Sequence, residues 1–212
     1  MLLRNYDNIM AARHMAHFGL LSTDTETFGD GHINIRNPDG SIVQLYPNEN
    51  WTSLPLQVFA ESDNTYYNQI GAGASKLICG GGDIDINGNY GVSYDDYKLA
   101  EIFTTAQVVY VPGTQKYERA YNAEDNTWTI TISRLFTNAT DDSITVKEIG
   151  VSSGTYYDYS ASKISYALTY RKVLDAPIEV PKGANFALSI TKTVSANPNK
   201  PTNYDATASV VE

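Results

Sequence analysis

Trp128-Thr129-Ile130-Thr131-Ile132-Ser133 sets large apolar residues against hydroxyl residues at every second position. That is the period of a β-strand with one face in a core and the other in water. The alternation runs over 126–137, and Asn138-Ala139-Thr140-Asp141-Asp142 supplies a turn. Residues 143–151 predict the returning strand of a hairpin through 138–143, with Ile144 and Val146 on one face. A Ser- and Tyr-rich connection spans 152–162. Further strands are predicted over 163–174, at Ile178-Glu179-Val180, and through Phe186, Leu188 and Ile190, with Pro181-Lys182-Gly183 as a turn. Strands this short and frequent predict an all-β fold, an antiparallel β-sandwich or jelly-roll-like domain.

The same grammar extends upstream. His32-Ile33-Asn34-Ile35-Arg36 alternates, Asn37-Pro38-Asp39-Gly40 is a turn signal, and 41–46 completes a hairpin. Strands are predicted over 54–59, 74–79 and 101–111, and an exposed hairpin or loop over 114–125. Gly71, Gly73 and the run Gly80-Gly81-Gly82 mark tight backbone. Asp83-Ile84-Asp85-Ile86-Asn87-Gly88 matches the first half of a calcium loop, with Asp83, Asp85 and Asn87 as the ligand candidates. Tyr94 stands where the bidentate glutamate belongs. The hairpin reading, built on Asn87-Gly88, is favoured. Cys79, in Lys76-Leu77-Ile78-Cys79-Gly80, reads as a buried small hydrophobe.

The two ends differ from the middle. Asp7 can cap a short helix over 8–18, closed by Gly19. His14 and His17 share a side of it, but with His32 the only other histidine the set is short of a metal site. In the tail over 195–212, Asn197-Pro198-Asn199-Lys200-Pro201-Thr202-Asn203 has no apolar period. Such a segment predicts an extended arm that orders by lying on a neighbour. The expected organisation is an N-terminal arm with a short helix (1–27), the β-sandwich domain (28–194, clearest over 126–194) and an extended C-terminal arm (195–212).

Strict alternation places Arg134 on the face of Trp128, Ile130 and Ile132, and Glu148 on the face of Ile144 and Val146. A charge turned toward a core needs a partner. Glu148 is therefore expected to pair with Arg134 or with Arg171. A structural ion pair is preferred to a catalytic acid, because nothing nearby supplies a second catalytic group.

Composition narrows the function. The net charge is −9 and no basic run occurs, which argues against nucleic acid and anionic membrane surfaces as partners. Charged residues are only 18%, and tyrosine occurs 16 times. Tyrosine offers broad contact area with a polar tip and suits surfaces buried against partners, as well as strands. One cysteine forms no intrachain disulfide and suits folding in a reducing cytoplasm. Met1-Leu2-Leu3 is too short an apolar block for a signal peptide. No Gly-x-Ser-x-Gly elbow or phosphate loop occurs, so an enzyme is not expected, and no cofactor is implied.

Several segments together resemble a motif set of tailed-bacteriophage virion structural proteins. They are Trp128 to Asn138, Ile144-Thr145-Val146-Lys147-Glu148-Ile149-Gly150, Leu168-Thr169-Tyr170-Arg171-Lys172-Val173-Leu174 and Pro177-Ile178-Glu179-Val180-Pro181-Lys182-Gly183. Upstream, Leu3-Arg4-Asn5-Tyr6, Phe28-Gly29-Asp30-Gly31, Ile78-Cys79-Gly80-Gly81-Gly82 and Asp96-Tyr97-Lys98-Leu99 resemble the same set. The resemblance implies a virion component of the neck, collar, tail or head surface, made in the host cytoplasm. Its partners would be copies of itself and other virion proteins. Tyr156, Tyr157, Tyr159 and Tyr204 are the expected partner contacts. The alternatives are a capsid-decorating subunit and a receptor module, in which Trp51, Tyr66, Tyr67 and the tyrosines of 156–159 stack on a host-surface glycan.

Overall fold

The computed structural model describes residues 1–5, 7, 33–36, 38–45, 76–158, 163–195, 197, 199–200 and 203–211. Among them helical backbone is confined to Arg4, Asn5 and Asp7. The helix expected over 8–18, the strand expected over 54–59, all three histidines, Trp51, Tyr66, Tyr67 and Tyr159 lie outside the described residues. The strands are β1 (Ile33–Arg36), β2 (Ile42–Leu45), β3 (Lys76–Gly80), β4 (Val108–Tyr110), β5 (Lys116–Asn122), β6 (Thr127–Asn138), β7 (Ile144–Asp158), β8 (Lys163–Val180), β9 (Asn185–Ser195) and β10 (Asn203–Val211). Every pairing between them is antiparallel.

β1 and β2 form the expected hairpin, with Arg36 opposite Ile42 and Gly40 in the turn at φ 85°. A five-stranded sheet runs β10-β9-β6-β4, with β5 also paired to β6, and a three-stranded sheet runs β3-β7-β8. The two face each other across one core. Phe136, Phe186, Leu188, Ile190 and Ala206 come from the first sheet, and Val146, Ile149, Tyr170, Leu174 and Val180 from the second. Phe136 and Phe186 stack at 5.7 Å between centroids. Fully burying each large apolar side chain contributes about 1.5–3 kcal/mol. Cys79 is buried in the same core, as its sequence setting implies, and burial pushes its thiol up to about 12.

Alternation on β6 holds for the outward face too. Thr131 pairs with Thr191 through their hydroxyls at 3.0 Å, so the polar side of the sheet carries its own cross-strand bonds.

The hairpin expected through 138–143 does not form. β6 and β7 belong to different sheets, and the chain crosses between them at a corner. Asn138 is the reason. It is fully buried, and its amide nitrogen donates to the carbonyls of Asp142 (2.8 Å), Val180 (3.0 Å) and Pro181 (3.1 Å). Its side-chain oxygen accepts from Thr140 N at 2.9 Å, and its backbone N–H donates to Ala184 O at 3.0 Å. The corner is thereby tied to the β8–β9 turn, where Gly183 takes φ 71°.

Other boundaries move as well. Of the strand expected over 101–111, only β4 forms. Much of the expected 152–162 connection is strand, because β7 runs to Asp158 and β8 starts at Lys163. The strands expected over 163–174 and at 178–180 are one, with register shifts in the β7–β8 pairing absorbing Pro177.

The expected extended C-terminal arm is corrected most. Residues 203–211 are β10, paired with β9 from Asn203 opposite Thr193 to Val211 opposite Asn185. Ala206 is 1% exposed in the core. The ring of Tyr204 lies 6.1 Å from that of Tyr170, and Lys172 bonds Asp205. The tail's order thus comes from its own chain.

Candidate functional site: a buried arginine beneath the 81–103 segment

Charge concentrates on the far face of the three-stranded sheet. Strict alternation would turn Glu148 inward with Ile144 and Val146. A register shift between Val146 and Glu148 breaks that alternation. Ile149 continues the core, and Glu148 emerges on the opposite face. There it meets Arg171, which stands opposite Gly150 on β8. The segment 81–103 covers this face, together with residues from the N-terminal stretch. Leu3, Leu99 and Leu168 form a second small core, with Ile78 and Val92 packed against it.

Arg171 is 0% exposed and every guanidinium nitrogen is used. Nε donates to Glu148 Oε2 at 2.8 Å, Nη1 to Asp96 Oδ2 at 2.6 Å, and Nη2 to Ile84 O at 2.7 Å. Nη2 also lies 2.7 Å from Glu148 Oε2. One cation faces two carboxylates, so negative charge is in excess. Backbone donors meet that excess. Glu148 accepts from Ala100 N (3.2 Å) and Glu101 N (2.9 Å), and Asp96 from Ile86 N (2.8 Å) and Ser93 N (3.0 Å). The network therefore binds the covering segment at 84, 86, 93, 96 and 100–101 to two adjacent strands. The backbone of Arg171 continues the tie, donating to Met1 O at 3.0 Å.

The glycine run has its explanation here. A Cβ on Gly80 would overlap the Glu101 carbonyl oxygen and stand 2.7 Å from Glu148 Oε1. One on Gly82 would stand 2.5 Å from Ala100 Cβ and 2.8 Å from Glu101 N. Both positions need the backbone to approach without a side chain. The N-terminal stretch and first hairpin join the same face. Asn5 exchanges two bonds with the backbone of Arg36, at 2.7 and 2.9 Å, and Arg36 stacks over Tyr97 at 4.2 Å.

The 83–91 stretch is a tight hairpin. Ile84 and Tyr90 form an antiparallel bridge, and Gly88 takes φ 85°. Asp85 Oδ1 accepts from Asn87 N and Asn89 N, each at 2.8 Å, and these bonds hold its carboxyl below the usual range. Asp83 bonds Lys147 at 3.1 Å. The calcium candidates Asp83 and Asp85 are thus engaged by the hairpin and by β7, and no metal-holding cluster occurs among the described residues.

Of the two arginines expected to reach Glu148, Arg171 does and Arg134 does not. Arg134 sits on β6 in the other sheet, with its guanidinium 3.9 Å from the Tyr110 ring centroid. Among the expected partner contacts, Tyr204 packs in its own chain. Tyr156 and Tyr157 lie on β7 opposite Ser165 and Ile164. Asp96 and Asn138 escaped the sequence reading as network members. Asp96 had one usable signal, its place before Tyr97 and Leu99. Of the segments quoted for the motif resemblance, Asp96, Glu148 and Arg171 join in this network and Gly80 and Gly82 pack against it, whereas Trp128 to Asn138 lies in the other sheet and Phe28 to Gly31 outside the described residues. Comparison with known proteins finds no matching family model, no matching curated protein and no matching solved structure.

Proposed function

We propose that the chain is a structural subunit, a β-sandwich of jelly-roll type that acts by associating with copies of itself and with other proteins. The motif resemblance supports a setting in the neck, collar or tail of a tailed-bacteriophage particle. The carrying observation is an aromatic surface on the five-stranded sheet. Along β6 the core-facing side chains become exposed toward the β5–β6 end, from Phe136 at 6% to Trp128 at 49%. Tyr121 is 50% exposed, and its ring lies 5.0 Å from that of Trp128. Tyr110, also exposed at 51%, stands apart from this pair, opposite Phe136 at the other end of β6. Aromatic residues on an uncovered sheet face are the composition of interface cores. The Arg171 network supports the same reading, since it serves rigidity and leaves Glu148 sealed from solvent.

The Tyr121–Trp128 pair also supports the alternative of glycan binding, because paired aromatic faces stack on sugar rings. Sedimentation of the purified chain beside Trp128→Ser, with mass spectrometry of density-purified particles, tests the proposal. The expected result is an oligomer that Trp128→Ser weakens and a fixed ratio to the portal protein in the particle. A monomer absent from particles overturns it. Glycan-dependent quenching of Trp128 fluorescence by a monomer selects the alternative.

A further inference from the structure

Apart from assembly, we propose that the cavity between edge strands β3 and β4 binds a small organic monocarboxylate whose apolar body fills the cavity and whose carboxylate pairs with Arg134. The cavity measures about 220 Å3. It opens at the side of the core, where β3 ends one sheet and β4 the other. Leu77, Cys79, Phe103, Val108 and Phe136 give it apolar walls, and Arg134 is the one charged residue among the described residues of its lining.

Arg134 is the anomaly. Its Nε is buried, and among the described residues it has no hydrogen-bond acceptor and no carboxylate pairs with the guanidinium. Tyr110 is its stacking partner. Arg171 shows how this chain satisfies a guanidinium it keeps for structure, with all three nitrogens bonded. A buried donor left unpaired is costly, and a partly buried cation beside apolar walls loses hydration besides. Burial correspondingly lowers the Arg134 pKa. A carboxylate accepting from Nε and one Nη would remove both costs in the side-on geometry that guanidinium groups favour. A monoanion matches the single cation. A phosphate dianion would bring excess charge into a cavity with no second cation among the described residues of its lining. The apolar walls call for a hydrocarbon or aryl body behind the carboxylate.

Amide chemical shifts of the labelled chain, titrated with sodium octanoate and separately with octanol, provide the test. The expected result is saturable octanoate shifts at residues 77–79, 103–110 and 134–136, with octanol weaker by about tenfold or more. Arg134→Met, which keeps the apolar stem, should reduce octanoate to the affinity of octanol. Equal binding of the acid and the alcohol, or no saturable shift at those amides, overturns the proposal without recourse to any variant. Undiminished octanoate binding by Arg134→Met also overturns it.

Discussion

Arg171 and Glu148 meet on the outer face of the three-stranded sheet because a register shift between Val146 and Glu148 turns the glutamate away from the core. Neither side chain is solvent-exposed, and both are bonded to the segment that covers them. The pair thus fastens a long irregular segment to a regular sheet. Buried ion pairs contribute little net stability over apolar replacements, but removing one partner leaves an uncompensated charge. Arg171→Met should therefore cost about 3–5 kcal/mol, because two carboxylates stay buried without their cation. Glu148→Gln should cost less, because Asp96 still balances Arg171. Urea unfolding followed by circular dichroism ranks the two, and a reversed order would refute the account of the network.

Gly80→Ala and Gly82→Ala test the approach of the backbone itself. Each methyl must displace main chain at 100–101 or the Glu148 carboxylate. Overpacking of this kind costs about 1–3 kcal/mol. Gly88→Ala is the contrast, since its Cβ would meet nothing within 4 Å and would suffer only from φ 85°. Hydrogen exchange should show faster opening at Ile86, Ser93 and Glu101 in the Gly80 and Gly82 variants and little change there in the Gly88 variant. Equal exchange in all three would mean the close approach is not a constraint.

The strands over 126–195 were legible because Trp128 to Ser133 and Phe186 to Ile190 alternate without interruption, and period two has one physical meaning. The direction of Glu148 was not legible, because the register shift between Val146 and Glu148 reverses the faces after it and leaves no mark in composition. The corner at Asn138 failed for a related reason. A turn sequence says that the chain reverses, and only long-range bonds, here to Val180, Pro181 and Ala184, decide which sheet it enters. Residues 203–211 read as an arm because the stretch leading into them, Asn197-Pro198-Asn199-Lys200-Pro201-Thr202-Asn203, has no apolar period. The alternation of Tyr204, Ala206, Ala208 and Val210 with polar residues was a strand signal that the loop-like stretch before it masked, and Tyr204 and Ala206 pack on the core.

Acid should loosen the contact between β10 and β8. The hydrogen bond from Lys172 holds the Asp205 carboxyl below its usual value. A carboxyl lowered in the folded state adds stability above its unfolded pKa, about 3.9, and loses it as pH falls through the folded value. Lys172 is raised chiefly by the same bond, so its share persists below an unfolded pKa of about 10.4 and is lost only as pH rises through the folded value. The Asp205 side chain is 61% exposed, so solvent screening limits the pair to about 0.5 kcal/mol. Calorimetric melting of the parent chain and Asp205→Asn should differ at pH 7 and converge as pH falls through the acid range. A constant difference across that range would remove Asp205 from the acid response.

The last prediction separates an edge strand from an arm. If 203–211 served only to reach a neighbour, cutting the chain after residue 202 would leave the fold unchanged. As β10, the segment covers β9 along its length and places Ala206 beside Ile190 in the core. Its removal should bare the edge of β9 and part of the core, lowering the melting temperature and promoting edge-to-edge aggregation visible by light scattering. Truncation alone could aggregate for other reasons, so Ala206→Asp provides a sharper measurement. It keeps every residue of the tail and puts one unpaired charge where exposure is 1%. The burial cost should unpair β10 or destabilise the chain by about 2 kcal/mol or more. Ala208→Asp, a half-buried position on the same face, should do less. Two equally harmless substitutions would return the segment to the role of a free arm.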